Sequence, residues 1–221
     1  SGKTTILVAI AKYFDSNGIY LCFNKSIKEE IDKKLVEKGI GNLTCFTMHS
    51  IGMRTINSNS NGVKSFFNKN GFIKGEIIKD KGFLNSTKTL TKGNRWYILN
   101  SIESIFDFAR YNGSLDYEVG LKAFQMAGGA LNNLSNKVDF KEVYDMFVDY
   151  YKSLTFLQGN KFEIDFGDMI FLPVYLNMQF SMSCKYILVD EAQDFNILQH
   201  LFLKKILDRK STRLNSSHQY Y

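Results

Sequence analysis

Apolar positions recur along the chain in more than one rhythm, and the change of rhythm divides it. Ile6, Leu7, Ile10, Tyr13 and Phe14 fall at helical spacing between Thr4 and Phe14, and Asp15-Ser16-Asn17-Gly18 stops the run. Ile19 to Phe23 is a short apolar strand. Ser26 with Glu29 has the form of a capping box, and Ile27, Ile31 and Leu35 share one face of the helix that follows. Gly39 or Gly41 ends that helix, Leu43 to Thr47 predicts a second strand, and another helix begins near His49. Helix, strand, helix, strand, helix is the alternation of a parallel sheet with crossover helices.

The alternation then breaks. Asn57-Ser58-Asn59-Ser60-Asn61-Gly62 is a polar loop, and residues 63–94 are mixed and rich in Lys, Gly and Asn. From Arg95 to about Gly159 the pattern is helical, with Trp96, Leu99, Ile102, Ile105 and Phe106 on one segment and Val143, Met146, Phe147, Tyr150 and Leu154 on another. Asp165 to Met178 reads as a helix kinked or ended by Pro173. Tyr186 to Val189 is a buried strand with Asp190 and Glu191 at its end. The expected organisation is a sheet-bearing portion at 1–56 and 161–207, a mainly helical insertion at 57–160, and a tail at 208–221.

Composition changes this picture little. The 221 residues are 44% hydrophobic, enough for one or two units with their own cores. The absence of a long apolar run argues against a membrane span or signal peptide. Cys22, Cys45 and Cys184 form no CxxC pair and read as reduced core thiols of a cytosol-like compartment (bacterial or virus-encoded), or of a nucleus in a eukaryote. A net charge of +6 suits a polyanion partner. The ends look unnatural: the chain begins inside a phosphate-loop pattern, and Asp208 to His218 resembles a translated sequencing adapter. Without Arg209, Lys210, Arg213 and Asp208 the charge drops from +6 to +4, so the charge argument weakens.

Two motifs carry the chemistry. Ser1-Gly2-Lys3-Thr4-Thr5 opens a helix, whose N-terminal amides and dipole favour a phosphate. There Lys3 would reach the β and γ phosphates and the Thr4 hydroxyl would hold Mg²⁺. Ile187-Leu188-Val189-Asp190-Glu191 delivers two carboxylates to the carboxyl edge of a parallel sheet, where ligands bind in open α/β folds. Asp190 is placed to bind Mg²⁺ through water, and Glu191 to orient and deprotonate the attacking water. Between them, Phe23-Asn24-Lys25 and Thr47-Met48-His49-Ser50 follow the other two strands. Phe23 suits base stacking, and Asn24, Lys25, Thr47, His49 and Ser50 suit phosphate contacts. Core roles for Phe23, Phe46 and His49 stand beside these, as does an N-cap role for Ser26.

In order, Ser1-Gly2-Lys3-Thr4-Thr5, Phe23-Asn24-Lys25-Ser26, Thr47-Met48-His49-Ser50, Asp165-Phe166-Gly167-Asp168-Met169-Ile170 and Asp190-Glu191-Ala192-Gln193-Asp194 resemble the motifs of UvrD/Rep-like superfamily 1 DNA helicases. The Phe-Asn-Lys-Ser form is closest to the F-box DNA helicase branch. The resemblance implies an α/β, RecA-like P-loop NTPase sheet (subdomain 1A) with a helical insertion (subdomain 1B). It implies ATP and Mg²⁺ as cofactors and single-stranded DNA or a single/double-strand junction as partner. It implies 3′→5′ translocation, with Gln193 sensing the γ-phosphate. The adenine-reading Gln, most of the phosphate loop and the second RecA-like domain are not in this sequence, so the chain by itself is expected to be inactive. A nucleotide-gated scaffold without motor activity and a helicase–nuclease fusion are the competing readings; repair, replication and phage roles stay open.

Overall fold

A computed structural model describes residues 2–14, 16–59, 65–66, 68–131, 133–155, 163–180 and 182–214. Contacts divide the chain into two units, Ser1–Asn59 with Leu172–Tyr221, and Ser60–Phe171. The first unit opens with α1 (Gly2–Ala11), β1 (Gly18–Cys22), α2 (Lys25–Glu37), β2 (Leu43–Thr47) and α3 (Met48–Asn59). The second holds β3 (Ser65–Phe66), α4 (Lys69–Lys79), α5 (Lys81–Ser86), α6 (Lys92–Tyr111), α7 (Tyr117–Met126), α8 (Phe140–Thr155) and β4 (Glu163–Ile164). The chain returns within α9 (Asp168–Tyr175), and β5 (Tyr186–Val189) and α10 (Ile197–Leu214) follow.

Among the described residues of the first unit, β2, β1 and β5 form a sheet in that order, every pair parallel. The class is therefore mixed α/β with a parallel sheet, as the alternation predicts. Cys22 is level with Thr47, and Leu21 with Val189, so the strands end together at one edge. One face of the sheet presents Tyr20, Cys22, Leu43 and Cys45 to Val8 and Ala11 of α1 and Ile31 and Leu35 of α2. Each large apolar side chain buried there stabilises the fold by about 1.5–3 kcal/mol. Gly18 is required at the start of β1, because a Cβ would fall 2.2 Å from the Tyr186 ring.

The C-terminal end of α1 is tied to the amino ends of the neighbouring strands. The Asn42 side-chain amide donates to the Ala11 carbonyl at 3.2 Å, and Phe14 stacks on Tyr186 at 4.2 Å. A ten-residue helix is about 15 Å long. The first turn of α1 thus lies toward the carboxyl edge of the sheet. The apolar stripe of α1 differs from the expected one: Val8 and Ala11 are buried, whereas Ile6, Ile10 and Tyr13 are exposed. The helix also stops at Ala11, so Tyr13 and Phe14 lie in the turn beyond it.

The second unit is mainly helical. Ile98, Leu99, Ile102, Ile105 and Phe106 of α6 meet Val143, Tyr144, Phe147 and Tyr151 of α8 in its core, with Phe106 edge-on to both Phe147 and Tyr151 at 4.9 Å. Gly120 lets α7 approach α6, since a Cβ there would stand 2.3 Å from the Ile105 carbonyl oxygen. The sequence expectation groups 161–171 with the sheet. Asp165 and Asp168 instead bond to Lys69 and Arg110, so these residues pack with the helices. Pro173 sits inside α9, which continues to Tyr175. The residues 215–221 of the expected tail lie outside the described residues, and 208–214 continue α10.

Candidate nucleotide and nucleic-acid site

The carboxyl edge of the first unit's sheet gathers the ends of β1, β2 and β5. Asp190 follows β5 directly. It is 8% exposed, its amide donates to the Leu21 carbonyl at 3.4 Å, and its Oδ2 accepts from the Tyr20 hydroxyl at 2.8 Å. Glu191 has φ 52 and ψ 40, a left-handed conformation that a residue with a Cβ rarely adopts. Strain of this kind clusters at functional sites. The turn it begins, Ala192–Asp194, is closed by the Asp194 amide on the Glu191 carbonyl at 3.0 Å, and buried Phe195 anchors it. Gln193 Nε2 donates to Glu191 Oε2, so two residues expected to act on the γ-phosphate side are in direct contact. Asn196 and Gln199 then cap each other's amides at 2.9 Å, which starts α10 after the turn.

Gly2, Lys3 and Thr4 form the first turn of α1, and Thr5 is exposed behind them. Ser1 lies outside the described residues. The unpaired amides of such a turn carry the positive end of the helix dipole.

At the end of β1, Phe23 is 51% exposed, too exposed for the core role that its sequence context left open. Asn24, not Ser26, is the N-cap of α2: its side-chain oxygen accepts from the Ile27 amide at 2.9 Å. The physical reason is that β1 stops at Cys22, so the extended backbone at Asn24 falls where a cap is needed and Ser26 is already helical. Lys25 is exposed and stands 3.7 Å from Glu29. At the end of β2, Thr47 and Ser50 cap each other: the Ser50 amide donates to Thr47 Oγ1 at 3.2 Å, and the Thr47 amide to Ser50 Oγ at 3.1 Å. Phe46 is core, with the Arg54 guanidinium 4.7 Å over its ring. His49 is half-buried, and burial pushes its imidazole down to about 4. It is therefore neutral at pH 7 and meets a phosphate, if at all, as a neutral donor.

The edge fits a nucleotide-bound Mg²⁺. Among the described residues no cluster of three His, Cys, Asp or Glu side chains is arranged to hold a metal. Mg²⁺ in phosphoryl-transfer sites takes one or two protein oxygens and fills its octahedron with phosphate oxygens and water. A single buried carboxylate at the carboxyl edge of the sheet is that kind of partial shell.

Sequence reasoning missed two features. Tyr20 reads as one more apolar strand residue, and only its hydroxyl, two positions before the strand end, hints otherwise. The other feature is in the second unit. There Asp165 and Asp168 belong to a buried ionic cluster with Lys69, Arg110 and Tyr151, not to the sheet edge. Arg110 donates to both oxygens of Asp165 at 2.9 Å and to Asp168 Oδ1 at 2.8 Å. Burial opposes charge on Asp165, but Arg110 and Lys69 outweigh it and hold the carboxyl below its ordinary value.

Among the described residues no helix is long and apolar enough to cross a membrane. A curated relative, the ATP-dependent DNA helicase Rep of Buchnera aphidicola subsp. Baizongia pistaciae (strain Bp), is 34% identical over 91 residues, covering 37% of this chain and 12% of the relative. The chain thus matches about an eighth of that protein's length. The family model described as "UvrD/REP helicase N-terminal domain" matches residues 1–214, nearly the whole chain, and on that match the chain belongs to the UvrD/REP helicase family.

Proposed function

We propose that this chain is the ATP-binding front part of an ATP-dependent DNA helicase or translocase that moves 3′→5′ along single-stranded DNA. The observation that carries this reading is the convergence of Asp190-Glu191, Phe23-Asn24 and Thr47 at one sheet edge, toward which the first turn of α1 is directed. The Lys3 ammonium would meet the β and γ phosphates and the α1 amides would cradle them. Asp190 and Thr4 would hold Mg²⁺, which would supply charge neutralisation on the phosphates. Glu191 orients the attacking water and takes its proton, and Gln193 fixes the Glu191 carboxylate through the bond already present. Phe23 stacks on a base and Lys25 meets the backbone of the strand. Asn24, Thr47 and Ser50 act mainly through their helix caps, which set the loops from which Phe23 and Lys25 project.

Charge stabilisation by arginines is worth about 10³–10⁵ in rate in related phosphoryl transfer. The resemblance puts those arginines in a second RecA-like domain outside this sequence, so this chain alone is proposed to lack unwinding activity. The test is ATP hydrolysis by the longer protein containing this chain, with and without single-stranded DNA. Lys3→Ala is expected to abolish DNA-stimulated turnover, and retained turnover contradicts the assignment. Wild-type protein that binds ATP and DNA without hydrolysis favours the scaffold reading instead.

A further inference from the structure

We propose that Tyr20 is a positioning residue that holds the Asp190 carboxylate in the orientation that receives a divalent cation, an inference that rests on the reading of Asp190 above. Tyr20 lies in the middle of β1, fully buried, directly opposite Leu188 of β5. Leu188 and Asp190 are two residues apart, so both leave the sheet on the face that Tyr20 occupies. The phenol crosses diagonally past Leu188, and its hydroxyl donates to Asp190 Oδ2 at 2.8 Å.

The surroundings of that ring are apolar: Val8, Cys22, Cys45 and Leu188 belong to the same core cluster. A phenylalanine would fill this space equally well, so what tyrosine adds is the hydroxyl and its direction. Asp190 is gripped twice by β1, through its amide on the Leu21 carbonyl and through its side chain on Tyr20. The next residue, Glu191, turns left-handed, so no continuing strand helps to orient the Asp190 side chain. Rotation of a carboxylate about its last torsion is intrinsically broad. A donor fixed on one oxygen sets the plane of the group and thereby the direction of the other oxygen. Partners of this kind typically change metal affinity 10–100-fold when removed.

The test uses the 221-residue chain. Mn²⁺ is titrated in the presence of a non-hydrolysable ATP analogue, and free Mn²⁺ is read by electron paramagnetic resonance. Binding of a fluorescent form of the same analogue is measured in chelator. Tyr20→Phe is expected to weaken Mn²⁺ binding tenfold or more and to leave metal-free nucleotide binding and the thermal unfolding curve unchanged. Wild-type Mn²⁺ affinity in Tyr20→Phe, when Asp190→Asn has lost it, overturns the positioning role. So does an equal loss of nucleotide with and without metal, which marks a merely structural residue. Mn²⁺ binding that survives Asp190→Asn, or is missing from the wild-type chain, overturns the reading of Asp190 itself. As a check independent of the Phe variant, 3-fluorotyrosine at position 20 should show a ¹⁹F shift on Mg²⁺–analogue binding that disappears in Asp190→Asn; an unmoved resonance counts against the proposal.

Discussion

The two units each contain a pair of acidic residues drawn from the sequence motifs, and they spend them differently. In the helical unit, Asp165 and Asp168 are consumed by Lys69, Arg110, Tyr151 and each other's backbone amides. In the sheet-bearing unit, Asp190 is held by a phenol hydroxyl, and Glu191 sits in a strained backbone with Gln193 beside it. A carboxylate ringed by buried cations is committed to the fold, because its removal strands their charges. At the sheet edge, the Asp190 carboxylate accepts instead from the Tyr20 hydroxyl, a neutral donor whose loss strands no buried cation. Burial alone does not distinguish them: Asp165 and Asp190 are both 8% exposed, while Asp165 is bonded to Arg110 and Asp190 to Tyr20.

The comparison is broken most easily at its structural end. Asp168→Ala removes the carboxylate that Lys69 and Arg110 share, leaving Arg110 on Asp165 and Asp107 but taking the bonded counter-charge from buried Lys69, and is expected to destabilise the protein by about 3–5 kcal/mol. Denaturant unfolding followed by circular dichroism measures this, and a loss under about 1 kcal/mol would make the cluster ornamental. A smaller effect comes from His49. Its folded pKa of about 4 lies below the unfolded value near 6.5. The unfolded chain therefore binds the extra proton first, and stability is fully present above pH 6.5 and falls as pH drops from 6.5 toward 4. The slope is at most about 1.4 kcal/mol per pH unit. Unfolding midpoints against pH for wild type and His49→Gln should diverge in that window and coincide at pH 8. At Glu191 the expected sign is reversed: Glu191→Gly relieves the left-handed backbone and stabilises by about 1 kcal/mol, while hydrolysis by the longer protein is lost. A glycine variant that is less stable than wild type would remove strain from the account. Smallest is the cap: Asn24→Ala is expected to cost about 1 kcal/mol, and Ser26→Ala under about 0.5 kcal/mol. The opposite ranking would restore Ser26 as the cap.

The sequence made some of this legible and not the rest, for physical reasons. The strands Leu43–Thr47 and Tyr186–Val189 form where their apolar positions predict, but Thr44 is exposed, and β5 is half-buried rather than buried because it is an outer strand of the sheet among the described residues. Alternation of elements was enough for the parallel class. On α1, every position from Ile6 to Ala11 is apolar, so periodicity cannot say which face is buried, and the true face is the one bearing Val8 and Ala11. The cap of α2 depended on where β1 ended, a matter of a single residue. The ionic cluster was illegible, because Lys69 stands 99 residues from Asp168 and Arg110 stands 55 from Asp165. Nothing local marks such residues as partners. At the sheet edge the motif order pointed to three strand ends that the fold brings together, yet the Tyr20 hydroxyl, 170 residues from Asp190, emerged only with the strand pairing.

The central claim is that the Asp190-Glu191 edge is left for chemistry rather than for the fold. The measurement that tests it most directly is Glu191→Gln in the longer protein containing this chain, with single-stranded-DNA-stimulated ATP hydrolysis and denaturant unfolding determined on the same preparation. The account predicts that turnover falls by at least about 10²-fold, the lower range for loss of a general base, while stability stays within about 0.5 kcal/mol of wild type. Turnover near the wild-type level, or a loss of activity that only follows a collapse of stability, would contradict it.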